Sequence, residues 1–286
     1  MNNRKRLRVS IVIPVYNEVD HLAACLAAIA TQTVQPYEVI VVDNNSTDDS
    51  ALIARQFPFV RLIRETRQGV VYARDTGFRA AGGEIIGRID ADTIIDTDWV
   101  ATLRQLFADH KLGAVSGKVA YQDVVAARFV GRVDLFWRRR MARLLSSEVA
   151  LQGANMAIRR ATWQAIQAHV CHQAGMHEDF DIAIHANQSG WQVRFDEHLK
   201  ASVCYRQADY SLRQFSNYAL ISPRTYLRHG LKSGRHMYQV VAFVIICYPL
   251  IKLLHRSYDR SAAQFSWANL LGSATTARVN PATFVD

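Results

Sequence analysis

Two short runs of apolar, β-branched residues near the start of the chain constrain its fold more than any other feature. The first run is LRVSIVIPVY (residues 7–16), and the second, EVIVVDNNSTDD (38–49), ends in a cluster of turn-forming side chains. Between them, VDHLAACLAAIATQ repeats apolar residues at helical spacing. A strand, a helix and a second buried strand in this order predict a parallel β-α-β unit.

The same alternation continues to residue 92. TDDSALIARQF and GVVYARDTGFRAAGG predict helices, while VRLIRE and EIIGRIDAD predict strands. We therefore expect an open, mostly parallel α/β sheet, in which ligands bind at the carboxyl ends of the strands. The first strand is followed by PVYNEVD and not by the GxGxxG fingerprint, which disfavours a dinucleotide cofactor.

The composition limits the class of protein and its partners. The 286 residues are 50% hydrophobic, which suits one large globular domain or one domain with an appendage. The net charge of +9 favours phosphates, nucleic acid or an anionic membrane surface as partners. Nucleic acid is disfavoured because the arginines lie beside apolar stripes and not among stacking aromatic residues. Four widely spaced cysteines and the lack of an export signal lead us to expect a cytoplasmic location.

Two carboxylates follow the predicted strand EIIGRI. Asp90 and Asp92 are two residues apart, so they share one face of an extended segment, and a turn at the strand end can bring both near one cation. Oxygen ligands of this kind suit Mg²⁺ or Mn²⁺, which complete their shells with water and substrate phosphates. The alternative is that Asp90 is a helix cap and Asp92 an ordinary loop acid.

Five stretches in order give a family resemblance that covers roughly residues 8–206. They are VSIVIPVYNE (9–18), VIVVDNNSTDDS (39–50), RQGVVYARDTGFRAAGGEIIGRIDAD (67–92), QGANMAIRR (152–160) and HEDFDIAIHANQSGWQV (177–193). With these stretches the sequence resembles the inverting nucleotide-sugar glycosyltransferases of family 2, which have the Rossmann-like GT-A fold. The resemblance implies transfer of a sugar from a nucleoside diphosphate sugar to an acceptor hydroxyl, with Mn²⁺ or Mg²⁺ as cofactor.

The resemblance also assigns roles on the donor side. Asp92 supplies a metal carboxylate and Asp90 touches the metal or the ribose, with a UDP-sugar favoured over a GDP-sugar. Asp75 stands where the family often has Asn, which is a departure from its pattern. The residues expected to bind the nucleotide sugar are Pro14, Tyr16, Glu18, Asp43, Asn45, Arg74 and Asp90. For Asp43, DNNSTDD also permits a helix cap or turn role.

On the acceptor side, the resemblance makes Asp179 the catalytic base, with Glu178 as its catalytic neighbour. The alternative for these acids is complementing a helix dipole. Gly153 and Asn155 are expected to form a turn that shapes the sugar and acceptor pocket. Many relatives place a histidine metal ligand near SVCYRQ, where this chain has none. Either His198 replaces it, or Arg206 contacts the diphosphate, or Asp92 and the substrate hold the metal alone.

Four further His and Cys residues lie in AHVCHQAGMH, namely His169, Cys171, His172 and His177. The stretch has neither a CxxC nor an HxxxH pair, so we interpret these residues as loop residues beside the site and not as a zinc centre.

One segment predicts contact with a membrane, and a second one allows it. Residues 237–254 are almost entirely apolar, and the alternative to membrane contact is a buried or partner-packing helix. Residues 129–149 combine an apolar helical stripe with five arginines, which favours a surface helix with a solvated basic face. The alternative for this segment is an interfacial helix on anionic lipid. At 18 residues with Pro249 inside, segment 237–254 suits peripheral or monotopic contact better than a span, which needs about 20 residues.

We therefore divide the chain into a basic tail (1–8), a GT-A domain (9–215) and a C-terminal helical extension (216–286). The predicted enzyme acts at the inner face of the cell membrane on a glycan or glycolipid, in cell-envelope polysaccharide or glycolipid synthesis. Two alternatives stay open: transfer to a polyprenyl phosphate, and a catalytically silent glycosyltransferase-like subunit.

Overall fold

The structure of the protein is a computed structural model. It describes residues 7–121, 151–173, 175–204, 210–256, 258–259 and 264–265. The amphipathic segment at 129–149 and the predicted diphosphate contact Arg206 lie outside these ranges.

The first third of the chain alternates strands and helices. They are β1 (Val9–Val15), α1 (Leu22–Ala30), β2 (Glu38–Asp43), α2 (Ser50–Arg55), β3 (Val60–Arg64), α3 (Val70–Ala80) and β4 (Ile85–Arg88). The strands pair in parallel in the order β3-β2-β1-β4. Each of these elements is one that the sequence predicts, and the mostly parallel α/β sheet is confirmed.

The following elements extend the sheet in the order β4-β7-β6-β8-β5. They are β5 (Ile94–Ile95), α4 (Trp99–Leu106), β6 (Leu112–Tyr121), a 3₁₀ turn (Gly153–Asn155), β7 (Met156–Arg159), α5 (Arg160–Ile166), α6 (Glu178–Gln188) and β8 (Gln192–Val203). Strand β7 runs antiparallel between β4 and β6, and β5 runs antiparallel to β8. The antiparallel β7 brings the 3₁₀ turn beside the end of β4.

Helices cover both faces of the sheet, which explains why the strands read as continuous apolar runs. Ile11 and Ile13 of β1 pack in one core cluster with residues of α1 and α4, whereas Val12 belongs to a second cluster with residues of α3 and α5. Gly87 of β4 lies directly under the Trp99 ring, where a Cβ atom would collide with the indole. This close packing fixes Trp99 behind the 3₁₀ turn.

The described residues from 210 to 265 form three helices and two short strands: α7 (Leu212–Ala219), α8 (Ile221–Arg228), α9 (Ser233–Arg256), β9 (Tyr258–Asp259) and β10 (Gln264–Phe265). The Ser211 hydroxyl and the Gln214 side chain form a capping box that starts α7. Helix α9 contains the apolar segment 237–254 and Pro249. Within the described ranges, none of the helices combines the length and apolar character needed to cross a membrane.

Candidate active site

A cleft of about 300 Å³ opens at the carboxyl ends of β1 and β4, beside the 3₁₀ turn and the N-terminus of α6. This is the edge at which ligands bind in open α/β sheets. Eight of the residues to which the sequence analysis gave a binding or catalytic role line it together: Pro14, Tyr16, Glu18, Asp90, Asp92, Gly153, Glu178 and Asp179.

The turn after β4 carries the two acids of the Asp-x-Asp pair. The Asp90 carbonyl accepts a hydrogen bond from the Thr93 N–H at 3.0 Å, which closes the turn. The Asp90 side chain is 43% exposed, while Asp92 is buried at the cleft wall. Burial, and then the charges of Asp92 and Asp90, raise the pKa of the nearby Cys25 thiol. The oxygen donors of this turn match the chemistry of Mg²⁺ or Mn²⁺.

Arg88, at the end of β4, is a functional residue that the sequence analysis missed. Its Nη2 lies 2.7 Å from Oε1 of Glu178 and 3.1 Å from Oδ1 of Asp90, and Arg88 itself is buried. Burial by itself lowers the pKa of Arg88, but the charges of Glu178, Asp90 and Asp179 together raise it. The available signal was a single arginine in an apolar strand, two residues before Asp90 and therefore on the same face.

Arg74 lies behind the cleft wall. It is completely buried and does not line the cleft, and its contact with a nucleotide stays a prediction. Its Nε donates to Oδ1 of Asp75 at 2.8 Å, and its Nη1 donates to Oε2 of Glu178 at 3.2 Å. Oδ2 of Asp75 is in turn 2.8 Å from Nε2 of His172. Arg74 therefore acts from behind the cleft wall, by holding Glu178.

Glu178 is engaged by two arginines, one on each carboxylate oxygen. Burial raises the pKa of the Glu178 carboxyl, while Arg88 and Arg74 oppose this shift. A carboxylate held in two ion pairs is not free to accept a substrate proton. The two ion pairs favour a positioning role for Glu178, and its assignment as a catalytic residue stays a prediction.

Asp179 occupies the first turn of α6. Its Oδ2 accepts a hydrogen bond from the Gly153 N–H at 3.0 Å, and its Oδ1 accepts one from the Phe180 N–H at 2.9 Å. The helix N-terminus favours a negative charge at this position. A Cβ atom on Gly153 would overlap the Arg88 guanidinium, so only glycine fits beside it.

Asn155 belongs to the predicted turn but does not itself line the cleft. Its side chain is buried, donates to the carbonyls of Lys118 and Leu199 at 3.0 Å each, and accepts from Trp99 Nε1 at 2.8 Å. It fixes the 3₁₀ turn and shapes the pocket only through Gly153.

The expected nucleotide loops lie beside the cleft with part of their polar groups already used. Oδ1 of Asp43 accepts from the Ser46 N–H at 3.1 Å, and the Asn45 amide donates to the carbonyl of Thr66 at 2.8 Å. Neither side chain lines the cleft, whereas Asn44 between them does. Nucleotide contact by Asp43 stays a prediction, and the Asn45 amide stabilises the loop.

The two remaining histidine candidates, His198 and His177, lie in different places relative to the cleft. His198 lies on β8 with 88% of its side chain exposed, pairs with Asp196 and does not line the cleft, so it is not placed to bind the metal. His177 precedes α6 and lines the cleft, and burial lowers its pKa. The lining residues that were not predicted include Gln152, Cys204, Tyr210 and Tyr218.

The fold and this cleft define a class of protein. A sheet with an Asp-x-Asp turn at its carboxyl edge and an acid at the N-terminus of an adjoining helix is the arrangement expected of a GT-A glycosyltransferase. The sequence model described as Glycosyl transferase family 2 matches residues 10–166, more than half of the chain. The chain therefore belongs to this family, and the resemblance inferred from its motifs is confirmed.

Two curated relatives illustrate the similarity. Glycosyltransferase AglE of Haloferax volcanii is 31% identical over 159 residues, which is 53% of this chain and 52% of the relative. Undecaprenyl-phosphate 4-deoxy-4-formamido-L-arabinose transferase of Serratia proteamaculans is 30% identical over 175 residues, or 57% of this chain and 47% of the relative. The chain thus matches about half the length of these relatives.

Solved structures show the same fold. The mannosyltransferase PcManGT from Pyrobaculum calidifontis, in complex with GDP-Man and Mn²⁺, superposes with a TM-score of 0.66 at 20% identity, covering 94% of this chain and 79% of that one. S. aureus TarS 1-349 in complex with UDP-GlcNAc gives 0.56 at 16% identity, with 89% and 74% covered. At these identities the likeness concerns the fold alone.

Proposed function

We propose that the chain transfers a sugar from a nucleoside diphosphate sugar to an acceptor hydroxyl, with inversion, and requires Mn²⁺ or Mg²⁺. One observation carries the proposal: Asp179 and the Asp90–Asp92 turn come from different elements but line the same cleft. The cleft therefore joins oxygen ligands for a cation to a separate carboxylate that can take a proton.

The donor side of the cleft fits a divalent cation. Asp92 and Asp90 would hold it, leaving positions for water and the diphosphate. When bound, the cation would neutralise charge on the departing diphosphate. The Mn²⁺ and GDP-Man bound by the structurally similar mannosyltransferase support this assignment, and the UDP-GlcNAc bound by TarS supports including uridine donors. We favour a UDP-sugar.

The acceptor side depends on Asp179. In an inverting displacement, the acceptor oxygen bonds to the anomeric carbon while the bond from that carbon to the diphosphate oxygen breaks. Asp179 takes the acceptor proton, and the N–H groups of Gly153 and Phe180 hold its carboxylate in place. Arg88 and Arg74 keep the neighbouring Glu178 out of this role by pairing with it.

A membrane-bound acceptor is part of the proposal. Phe243, Ile246, Leu250 and Leu253 follow one another at helical spacing along α9 and are 50–76% exposed. Lys232 and Arg235 lie exposed at the start of this helix. A stripe of this kind suits an in-plane helix on an anionic lipid surface, which would place the cleft at the inner face of the cell membrane. Its acceptor would be a lipid-linked glycan or glycolipid.

The same stripe favours a second candidate, transfer to a polyprenyl phosphate. The relative from Serratia proteamaculans, named for an undecaprenyl-phosphate substrate, supports keeping it. A phosphate acceptor is already ionised, so transfer to it would depend less on Asp179.

The test is transfer by the purified chain from a panel of UDP- and GDP-sugars to hydroxyl and polyprenyl phosphate acceptors, with Mn²⁺, Mg²⁺ or EDTA. We expect one donor to turn over only with metal, giving a product of inverted anomeric configuration. Transfer by the wild type to a polyprenyl phosphate but not to hydroxyl acceptors, largely retained in Asp179→Asn, would favour the second candidate. No binding or turnover of any donor would favour the silent subunit.

A further inference from the structure

A second group of potential metal ligands lies outside the cleft. It surrounds the later turns of α6, the helix that carries the proposed base Asp179 and is called the base helix below. Asp181 and His185 are on α6, Cys171 is in the loop after α5, and His229 directly follows α8. One ligand atom from each of the four lies within 4.8 Å of all the others. Oδ1 of Asp181 is 2.9 Å from Nε2 of His229 and 3.4 Å from Nε2 of His185.

Three side-chain atoms of this group are buried without a hydrogen bond, whereas Oδ2 of Asp181 accepts one from the Cys171 N–H at 2.8 Å. Asp181 is completely buried, and its Oδ1, the Nε2 of His185 and the Nε2 of His229 have no hydrogen-bond partner. Both imidazoles lie within ion-pair distance of Oδ1 of Asp181, although neither contact has the geometry of a hydrogen bond. Buried polar atoms are nearly always satisfied, and convergent exceptions call for a bound ion or water.

The types of ligand atom in this group indicate which metal ion it would bind. One sulfur, two imidazole nitrogens and one carboxylate oxygen are the ligands of tetrahedral zinc, whereas Mg²⁺ and Mn²⁺ prefer oxygen alone. Zinc bonds of about 2.0–2.3 Å separate neighbouring ligand atoms by roughly 3.3–3.8 Å, so small side-chain rotations would complete the site. From this geometry we infer that Cys171, Asp181, His185 and His229 bind a structural Zn²⁺ ion.

The ion would join parts of the chain that are distant in sequence. Asp181 and His185 lie on the helix whose first turn carries Glu178 and Asp179, while His229 belongs to the C-terminal helices. The same helices meet a second time at the start of α6, where the His177 N–H donates to Thr225 Oγ1 at 3.0 Å. Zinc would therefore fix the base helix against the C-terminal extension.

The sequence contains part of this signal. Asp181 and His185 are four residues apart, which places both side chains on one face of a helix. This pair lies beyond residues 168–177 and combines a carboxylate with a histidine, so the CxxC and HxxxH spacings of that stretch do not reveal it. His229 could only be added once the fold was known.

The test is elemental analysis of the full chain, purified without chelators from medium supplemented with zinc. We expect about one zinc per chain in the wild type, and loss of it in Cys171→Ser and in His229→Asn. Cys247→Ser and His236→Asn, which change the same residue types outside the cluster, should retain it. Asp92→Asn should also retain it, which separates this site from the cleft metal.

A second measurement uses the wild type alone, so its result does not depend on whether the variants fold. Zinc is removed under mild chelation and replaced by Co²⁺, whose spectrum should show tetrahedral bands and a thiolate charge-transfer band. Removal of the metal should lower the unfolding temperature, and zinc should restore it. Zinc content well below one per chain, full zinc content in both ligand variants, or a cobalt spectrum without thiolate charge transfer would overturn the inference.

Discussion

Nη2 of Arg88 lies 2.7 Å from Oε1 of Glu178, and both residues are largely removed from solvent. This ion pair connects the end of β4, which leads into the Asp-x-Asp turn, to the first residue of the base helix. It therefore ties the donor side of the cleft to the acceptor side.

Replacing Arg88 with methionine should destabilise the protein strongly. The change keeps much of the side-chain volume but leaves Oε1 of Glu178 without its partner, and breaking a buried pair costs about 3–5 kcal/mol. Urea unfolding of Arg88→Met measures this loss. Arg61→Met removes an exposed pair with Glu38 at 3.8 Å and should cost at most about 1 kcal/mol. Equal losses in the two variants would contradict a structural role for Arg88.

Replacing Gly153 with alanine should reduce transfer without unfolding the chain. The new methyl group would collide with the Arg88 guanidinium and shift the backbone N–H that donates to Asp179. We expect kcat to fall by about 10²-fold or more, because the base loses its alignment. The control is Gly82→Ala, whose methyl would meet the Tyr37 ring at 3.3 Å and Oε1 of Glu38 at 3.5 Å, both in ordinary or slightly tight contact. Wild-type kcat in Gly153→Ala would show that this contact does not position the base.

The free energy of unfolding should fall in acid because the Glu65 carboxylate, near the cleft, becomes protonated. Although burial by itself raises the pKa of Glu65, hydrogen bonds from Arg67 and Thr76 lower it from 4.5 to about 2. A depressed folded-state pKa stabilises the protein above pH 4.5, and this contribution disappears as the pH falls from 4.5 toward 2. It amounts to at most about 3 kcal/mol, reduced by screening at the exposed Arg67.

The free energy of unfolding, measured from pH 6 to pH 2.5, tests this contribution. In Glu65→Gln we expect lower stability at pH 6 and a smaller decrease toward acid than in the wild type. The exposed Asp49, changed to asparagine, should leave the pH profile close to that of the wild type. Identical profiles for Glu65→Gln and the wild type would contradict the prediction.

The apolar stripe of α9 should control membrane binding. Replacing Ile246 and Leu250 with serine removes apolar area that would enter the lipid, and about 25 cal/mol per Å² predicts at least a tenfold loss of vesicle affinity. Sedimentation with anionic vesicles measures it. Leu52 on α2 is 54% exposed and provides the matched serine control. Unchanged sedimentation of the double variant would exclude this stripe as the membrane contact.

The sequence predicted the parallel β-α-β elements and eight of the cleft residues, because both depend on local patterns. Apolar periodicity marks the strands, and their carboxyl ends bring polar loops to one edge of the sheet. The buried partners depend on contacts between distant segments. Arg74 and Glu178 are 104 residues apart in the sequence. The roles of Arg88 and Asn155 depend on the antiparallel pairing of β7 with β4, which no local sequence pattern predicts.

Separating donor binding from transfer tests the account most directly. With the donor that turns over, calorimetric binding and transfer rates are measured with Mn²⁺ or EDTA in the wild type, Asp92→Asn and Asp179→Asn. We predict that Asp179→Asn binds donor like the wild type but transfers to hydroxyl acceptors about 10²–10⁴-fold more slowly, whereas Asp92→Asn loses metal-dependent binding. Wild-type hydroxyl transfer by Asp179→Asn, or donor binding that neither EDTA nor Asp92→Asn affects, would contradict it.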